Sequence, residues 1–345
     1  MTGTCVLPAF SIDEVTRIVC DLFGIEGRLH RLNGERDLNY LVASDSGRYV
    51  FKIANRDETY GLLECQHLVL ERLAADKVMP RSASSVESLN ARVIETVTGE
   101  GGIDHYCRML NYVEGRLLSS VTHHTPDLLK DLGRVLARLD SSLQDFDHAV
   151  LKRRFIWNMF EALTTLERFK SLLESDHKRE LVEYFEDLFR NSLLPSSESL
   201  RRAVIHNDAN DNNLLVAGDK PGELTISSII DFGDMVYSWL AVEPAVAAAY
   251  AMMGKSKPLE AAAAIIQGYH ESLPLRKNEI SVLFSFICMR LCMSVCICAQ
   301  QKSIEPDNEY LKISEKPAWD LLNKLSGISP ETVHQVFLEA CQMKP

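Results

Sequence analysis

The segment Val204-Ile205-His206-Asn207-Asp208-Ala209-Asn210-Asp211-Asn212-Asn213-Leu214-Leu215-Val216 sets a dense polar block between two apolar runs. A further apolar run, Ile229-Ile230-Asp231-Phe232-Gly233-Asp234, reaches its aspartate 18 residues after Asn213. Short apolar runs bounded by Asn, Asp and Gly predict strands, here over 203–205, 213–217 and 224–231. The order HxDxxxxN, strand, DFG supplies the groups that phosphoryl transfer needs. Asp208 accepts or orients a substrate hydroxyl, and His206, two residues before it, is grouped with it as a catalytic candidate. The amide oxygen of Asn213 and the carboxylate of Asp231 hold Mg²⁺ against the phosphates of a nucleotide, because that ion prefers hard oxygen ligands. A polar hairpin of Asx-turns accounts for one or two of these residues but not for the whole block.

Before this segment the periodicity is mixed. A helix is expected over 11–23, with Ser11 as N-cap and Asp13 and Glu14 in the first turn. Strands are expected over 38–44, 48–54, 91–98 and 106–113, and a helix over 58–75. In the strand 48–54, Tyr49, Phe51 and Ile53 share one face, while Val50, Lys52 and Ala54 share the other. From Thr125 the period turns helical, with Pro126 at the first helical position. Further helices are expected over 155–173, 176–191, 239–252, 258–272, 276–300, 306–324 and 329–343. The fold class is therefore α+β, with a small antiparallel-sheet lobe over 1–112 and a large, mainly helical lobe over 113–345. Two lobes predict a cleft that takes a small ligand.

The 345 residues carry 37 Lys+Arg against 48 Asp+Glu, a formal charge of −11. A nucleic-acid partner would call for the opposite bias; an acidic chain suits an amine-bearing substrate. Nine cysteines, an odd number without a CxxC pair, indicate reduced thiols and a cytoplasmic protein. No secretory signal is expected at the N-terminus. The apolar window 281–300 has Arg290 at its centre, which favours a buried helix over a membrane span. Oligomeric state has no signature in the sequence.

Lys52 is the candidate cation for the phosphates, with a solvated strand lysine as the alternative. Glu64 and Glu71, seven apart on one helical face, are both candidates to pair with it. Taken with the HNDANDNN loop, these residues resemble the aminoglycoside phosphotransferase and choline kinase group, which has a two-lobed protein-kinase-like fold. Within it, Phe155-Ile156-Trp157-Asn158, Asp231-Phe232-Gly233-Asp234-Met235 and Leu63-Glu64-Cys65-Gln66 are similar to the hydroxylysine kinases, a likeness running from about 12 to 325. The resemblance implies Glu64 as the partner of Lys52 and a connector, Asn111, Tyr112 and Val113, whose backbone meets the base of ATP or GTP. It also implies a small alcohol as acceptor: 5-hydroxylysine or a related amino alcohol, with aminoglycosides, choline and homoserine as alternatives.

Two departures stand out: Asn207 occupies a position that is usually glycine in the family, and the turn 32–39 holds a single glycine, which leaves Arg36 or backbone amides to cover the phosphates. Trp157, Asp234 and Glu114 are candidate acceptor contacts, Trp157 through a cation–π contact with a substrate amine. Cys288, Cys292 and Cys296 read as a buried stripe, and His123-His124 as a solvated loop. A protein kinase is disfavoured because no Ala-Pro-Glu follows the DFG and an apolar helix begins almost at once. A non-catalytic nucleotide-binding protein is the reading from another class.

Overall fold

In the computed structural model, which describes residues 7–34, 36–193, 195–304 and 315–344, the chain divides into two compact units, Met1–Glu114 and Gly115–Pro345. In the first, α1 (Ile12–Phe23) opens on a reciprocal cap: Ser11 Oγ accepts the Glu14 N–H, and the Glu14 carboxylate accepts the Ser11 N–H at 2.7 Å. Its buried stripe, Val15, Val19 and Phe23, packs on an antiparallel sheet through Leu38, Val42, Phe51, Ile53 and Met109.

That sheet is built from β1 (Gly27–Leu32), β2 (Leu38–Ser44), β3 (Gly47–Ile53), β4 (Ser85–Val86), β5 (Glu95–Thr98) and β6 (Asp104–Asn111), with α2 (Tyr60–Ala75) inserted after β3. The order is β1-β2-β3-β6-β4, with β5 also on β6. The period-2 pattern of β3 holds: Phe51 and Ile53 are fully buried, and Lys52 lies on the opposite face between Asn39 of β2 and Arg108 of β6. The strand expected over 91–98 is confined to β5, because Ala91 has φ 56° and Ser88 Oγ accepts the N–H of both Asn90 and Arg92, making a turn. β1, whose outward Arg28, His30 and Arg31 mask its alternation, was not expected.

The second unit holds β7 (Arg116–Leu117), α3 (Pro126–Leu143), α4 (Ala162–Phe169), α5 (Asp176–Leu193), β8 (Arg202–Ile205), β9 (Leu214–Ala217), β10 (Thr225–Ile229), β11 (Val236–Trp239), α6 (Val242–Met252), α7 (Pro258–Ser272), α8 (Lys277–Ile304), α9 (Glu315–Ser326) and α10 (Pro330–Ala340). The helix expected from 155 begins only at Ala162, because Asn158 turns the chain by accepting the Phe160 N–H. The helix expected from 239 is preceded by β11, which pairs with β8; the start expected at 306 for α9 falls outside the described residues.

α8 is long and apolar enough to cross a membrane, yet it is the buried axis of this unit, packed by α4, α5, α6, α9 and α10. Cys288, Cys292 and Cys296 are core on this helix, and burial pushes their thiols up, so they are inert. α3 and α7 cross through two glycines, Gly133 against the Ile265 carbonyl and Gly268 against the Lys130 carbonyl. Beside the crossing, the Tyr269 hydroxyl donates to buried Asp140 at 2.5 Å.

Candidate active site

Two antiparallel pairs present the polar block. β8, held by β11, ends at Ile205, and β9 begins at Leu214 opposite Ile229 of β10. The Ile230 N–H donates to the Asn213 carbonyl at 2.9 Å, bringing the last residues of the HxDxxxxN loop beside the DFG turn. His206 completes this brace. Its Nε2 donates to the Ile230 carbonyl at 3.1 Å and its Nδ1 accepts the Asp208 N–H at 3.2 Å, so the ring is neutral. Burial lowers its pKa, and Phe232 packs edge-on at 4.8 Å. Grouped with the catalytic residues on sequence, His206 has both nitrogens committed to the backbone and acts here as a brace.

Asn207 has φ 65°, the left-handed region that glycine enters freely and asparagine enters at low cost, so Asn in place of Gly is compatible with the loop. Its Nδ2 donates to the carbonyls of Trp157 and Asp234, both at 3.3 Å, and its N–H donates to Glu243 at 2.9 Å. That amide immediately precedes Asp208, so a buried carboxylate steadies the backbone leading into it. Burial pushes Glu243 up to about 7.

Asp208 is fixed by three donors. Oδ2 accepts from Asn210 Nδ2 at 3.0 Å and from Asn213 Nδ2 at 2.8 Å, while Oδ1 accepts from Arg290 at 3.0 Å. A carboxylate oxygen has two lone pairs, so Oδ2 is filled and Oδ1 keeps one for a substrate hydroxyl. Burial, then the neighbouring Asp234, pushes Asp208 up to about 8, with Arg290 and Asn210 pulling the other way.

Asn213 directs its Nδ2 at both the side chain and the carbonyl of Asp208, leaving Oδ1 as the atom it can offer a cation. Asp231 is exposed and held at φ 62°, an uncommon backbone state for a residue other than glycine; its Oδ1 accepts the Gly233 N–H at 3.4 Å. No group of three or more His, Cys, Asp or Glu among the described residues forms a metal cage. One amide oxygen and one carboxylate fit an ion that keeps its remaining positions for phosphate and water. Asp234 is buried beside the loop, its carbonyl accepting from Asn207.

Arg290 was passed over on sequence except as an obstacle to membrane insertion. It is 1% exposed. Besides Asp208 it donates to the Trp157 carbonyl at 3.4 Å and the Tyr250 hydroxyl at 3.3 Å. Its guanidinium lies 4.3 Å from the Trp157 ring, so a cation of the chain itself makes the cation–π contact expected for a substrate amine. The signal was present: a charge inside an apolar helix requires a buried partner.

Among the described residues Lys52 has the Asp37 carboxylate at 3.9 Å, and no ion pair joins it to the expected Glu64. The register explains this, since Asn39 lies opposite Lys52 and Asp37 is two residues away. Glu64 is exposed on α2, and Glu71 pairs with His67. Arg36 lies in the bend before β2. Asn111 is spent on the 82–84 segment: its Oδ1 accepts from Ser84, and its N–H donates to the Ser84 carbonyl at 2.9 Å. The Tyr112 N–H donates to the Arg48 carbonyl at 2.9 Å, and Arg48 lies 4.7 Å from the Tyr112 ring. Val113 is half-buried. Glu114, expected near the acceptor, is exposed and bonded to Arg48.

The chain is 28% identical to a hydroxylysine kinase of Mus musculus, covering 97% of this chain and 94% of that protein, and 28% identical to one of Danio rerio, covering 97% of each. Its fold is similar to that of an amicoumacin kinase in complex with AMP-PNP and Ca²⁺, with a TM-score of 0.72 at 15% identity over 95% of this chain and 97% of that one. A microcompartment-associated aminopropanol kinase gives 0.71 at 19% identity over 97% and 99%. Residues 28–278 match the model of the phosphotransferase enzyme family, and the chain belongs to that family.

Proposed function

We propose that this protein is a small-molecule kinase that transfers the γ-phosphoryl group of ATP or GTP to a hydroxyl of an amine-bearing acceptor, with 5-hydroxylysine the preferred one. The observation that carries the reading is the constraint on Asp208, whose Oδ1 keeps one lone pair for the acceptor. As the acceptor oxygen bonds to the γ-phosphorus, its proton passes to Oδ1 and the nucleoside diphosphate leaves. Asn213 Oδ1 and the Asp231 carboxylate hold Mg²⁺, which neutralises phosphate charge when bound. Lys52, beside Asp37, supplies a further cation to the phosphates, with Arg36 as a supporting group; the backbone of Val113 meets the base, the amides of Asn111 and Tyr112 being bonded to Ser84 and Arg48. Trp157 and Glu114 are engaged by Arg290 and Arg48, while Asp234, buried beside the loop, stays the candidate acceptor contact. The eight described cysteines are thiols outside any disulfide, which suits a reducing cytoplasm.

The acceptor panel is 5-hydroxylysine, an aminopropanol, choline, homoserine and an aminoglycoside, each assayed for nucleoside-diphosphate release with ATP and with GTP. Hydroxylysine is expected to exceed the others in kcat/KM by about tenfold or more, the discrimination available to a site that hydrogen-bonds its substrate. Nucleotide binding with no turnover on any acceptor would replace this reading with a non-catalytic one. Asp231→Asn is expected to raise the Mg²⁺ concentration needed for half-maximal rate by roughly 10–100-fold, since a charged ligand becomes neutral. An unchanged Mg²⁺ titration would remove Asp231 from the metal site.

A further inference from the structure

Arg290 heads the largest fully buried side chains among the described residues, and its α8 neighbours Cys288, Met289, Leu291 and Cys292 are all buried and apolar. Packing alone does not call for an arginine there. A buried charge deprived of its partner costs several kcal/mol, so such a residue persists where something binds it. Among the described residues its ion pair is with Asp208, at 3.0 Å. The rest of the guanidinium is set by Trp157, ring and carbonyl, and by the Tyr250 hydroxyl. The planar fork is therefore aligned by three elements: the 155–158 turn, α6 and α8. That alignment is something a flexible ammonium lacks.

We propose that Arg290 is a positioning residue, which clamps one lone pair of Asp208 Oδ1 so that the other faces the acceptor hydroxyl. Asn210 and Asn213 hold Oδ2, and Arg290 supplies the third point that fixes the plane of the carboxylate. The inference rests on Asp208 as the group that takes the acceptor proton. It adds that the reaction depends on a residue 82 positions away that touches neither acceptor nor nucleotide.

The test compares Arg290→Met, Arg290→Lys and Tyr250→Phe with the wild type, using hydroxylysine and Mg-nucleotide, and follows thermal stabilisation by Mg-nucleotide as a check on folding. Misorientation of a reacting group by about 1 Å costs roughly 100-fold, so Arg290→Met is expected to lose about that factor in kcat, with the nucleotide KM within about threefold. Arg290→Lys keeps the charge without the fork and is expected to recover only part of the loss. Tyr250→Phe, which removes one acceptor from the guanidinium, is expected to lose severalfold. If Arg290→Met does not fold, the other two variants carry the test. A kcat within about threefold of wild type in Arg290→Lys together with an unaffected Tyr250→Phe, or a loss confined to KM, overturns the inference and leaves the proposed activity standing. A wild type that turns over no acceptor overturns the activity and the inference with it.

Discussion

Asp208→Asn is expected to lower kcat by about three orders of magnitude, the middle of the range for removing a general base, while Mg-nucleotide binding stays measurable. The amide matches the carboxylate in size, so the loss is one of hydrogen-bond logic. Arg290, Asn210 and Asn213 all donate to Asp208, and an amide offers them one oxygen and one NH₂ group. If its oxygen faces Arg290, its NH₂ meets two donors, and the conflict is relieved only when Asn213 turns over and withdraws the oxygen it offers to Mg²⁺. If its oxygen faces the asparagines, its NH₂ meets a buried guanidinium that has lost its counter-charge. Either way a lower melting temperature accompanies the loss of rate. Steady-state kinetics with hydroxylysine, nucleotide titration and a thermal melt on the same preparation separate these effects; near wild-type turnover would show that Asp208 is not the base.

The geometry of the HxDxxxxN loop was legible in the sequence because its groups lie within a few residues of one another. An HxDxxxxN block between two apolar runs constrains its own geometry: Asp208, Asn210 and Asn213 interact over two to five positions. The second β-pair was half visible: β8 shows as an apolar run, but β11, with Tyr237 half-exposed and a helix close behind, reads as the start of α6. Arg290 was hidden for a different reason. Its partner lies in another element, and periodicity reports which face of a helix is buried, not which residue waits there. The pairing of Lys52 with Asp37 was missed likewise, because it depends on the register of β2 against β3, which alternation alone leaves open by two residues. Asn207 shows the reverse case: a residue that looked like a departure meets the same backbone requirement as glycine.

Gly268→Ala is expected to destabilise the second unit by about 3 kcal/mol or more, at the upper end for overpacking, although alanine is the better helix former by about 1 kcal/mol. Gly268 lies within α7, and a Cβ there would overlap the carbonyl oxygen of Lys130 on α3; at Gly133, on the facing helix, it would overlap the carbonyl of Ile265. These obstacles are backbone atoms, which have no rotamer to change, so the helices must separate, and the Tyr269–Asp140 bond next to the crossing is strained as they do. The displacement reaches the site, because α3 also packs on β8 and β10, which carry the catalytic loop and the DFG turn, and Asp131 of α3 accepts the Ile226 N–H at 2.8 Å. The same substitution at Gly61, near the start of α2 with nothing around its Cβ position, is expected to be neutral or stabilising by up to about 1 kcal/mol. Urea denaturation of both variants, read with Mg-nucleotide affinity and kcat, checks the contrast. Equal stability in the two would mean that α3 and α7 do not cross at their glycines.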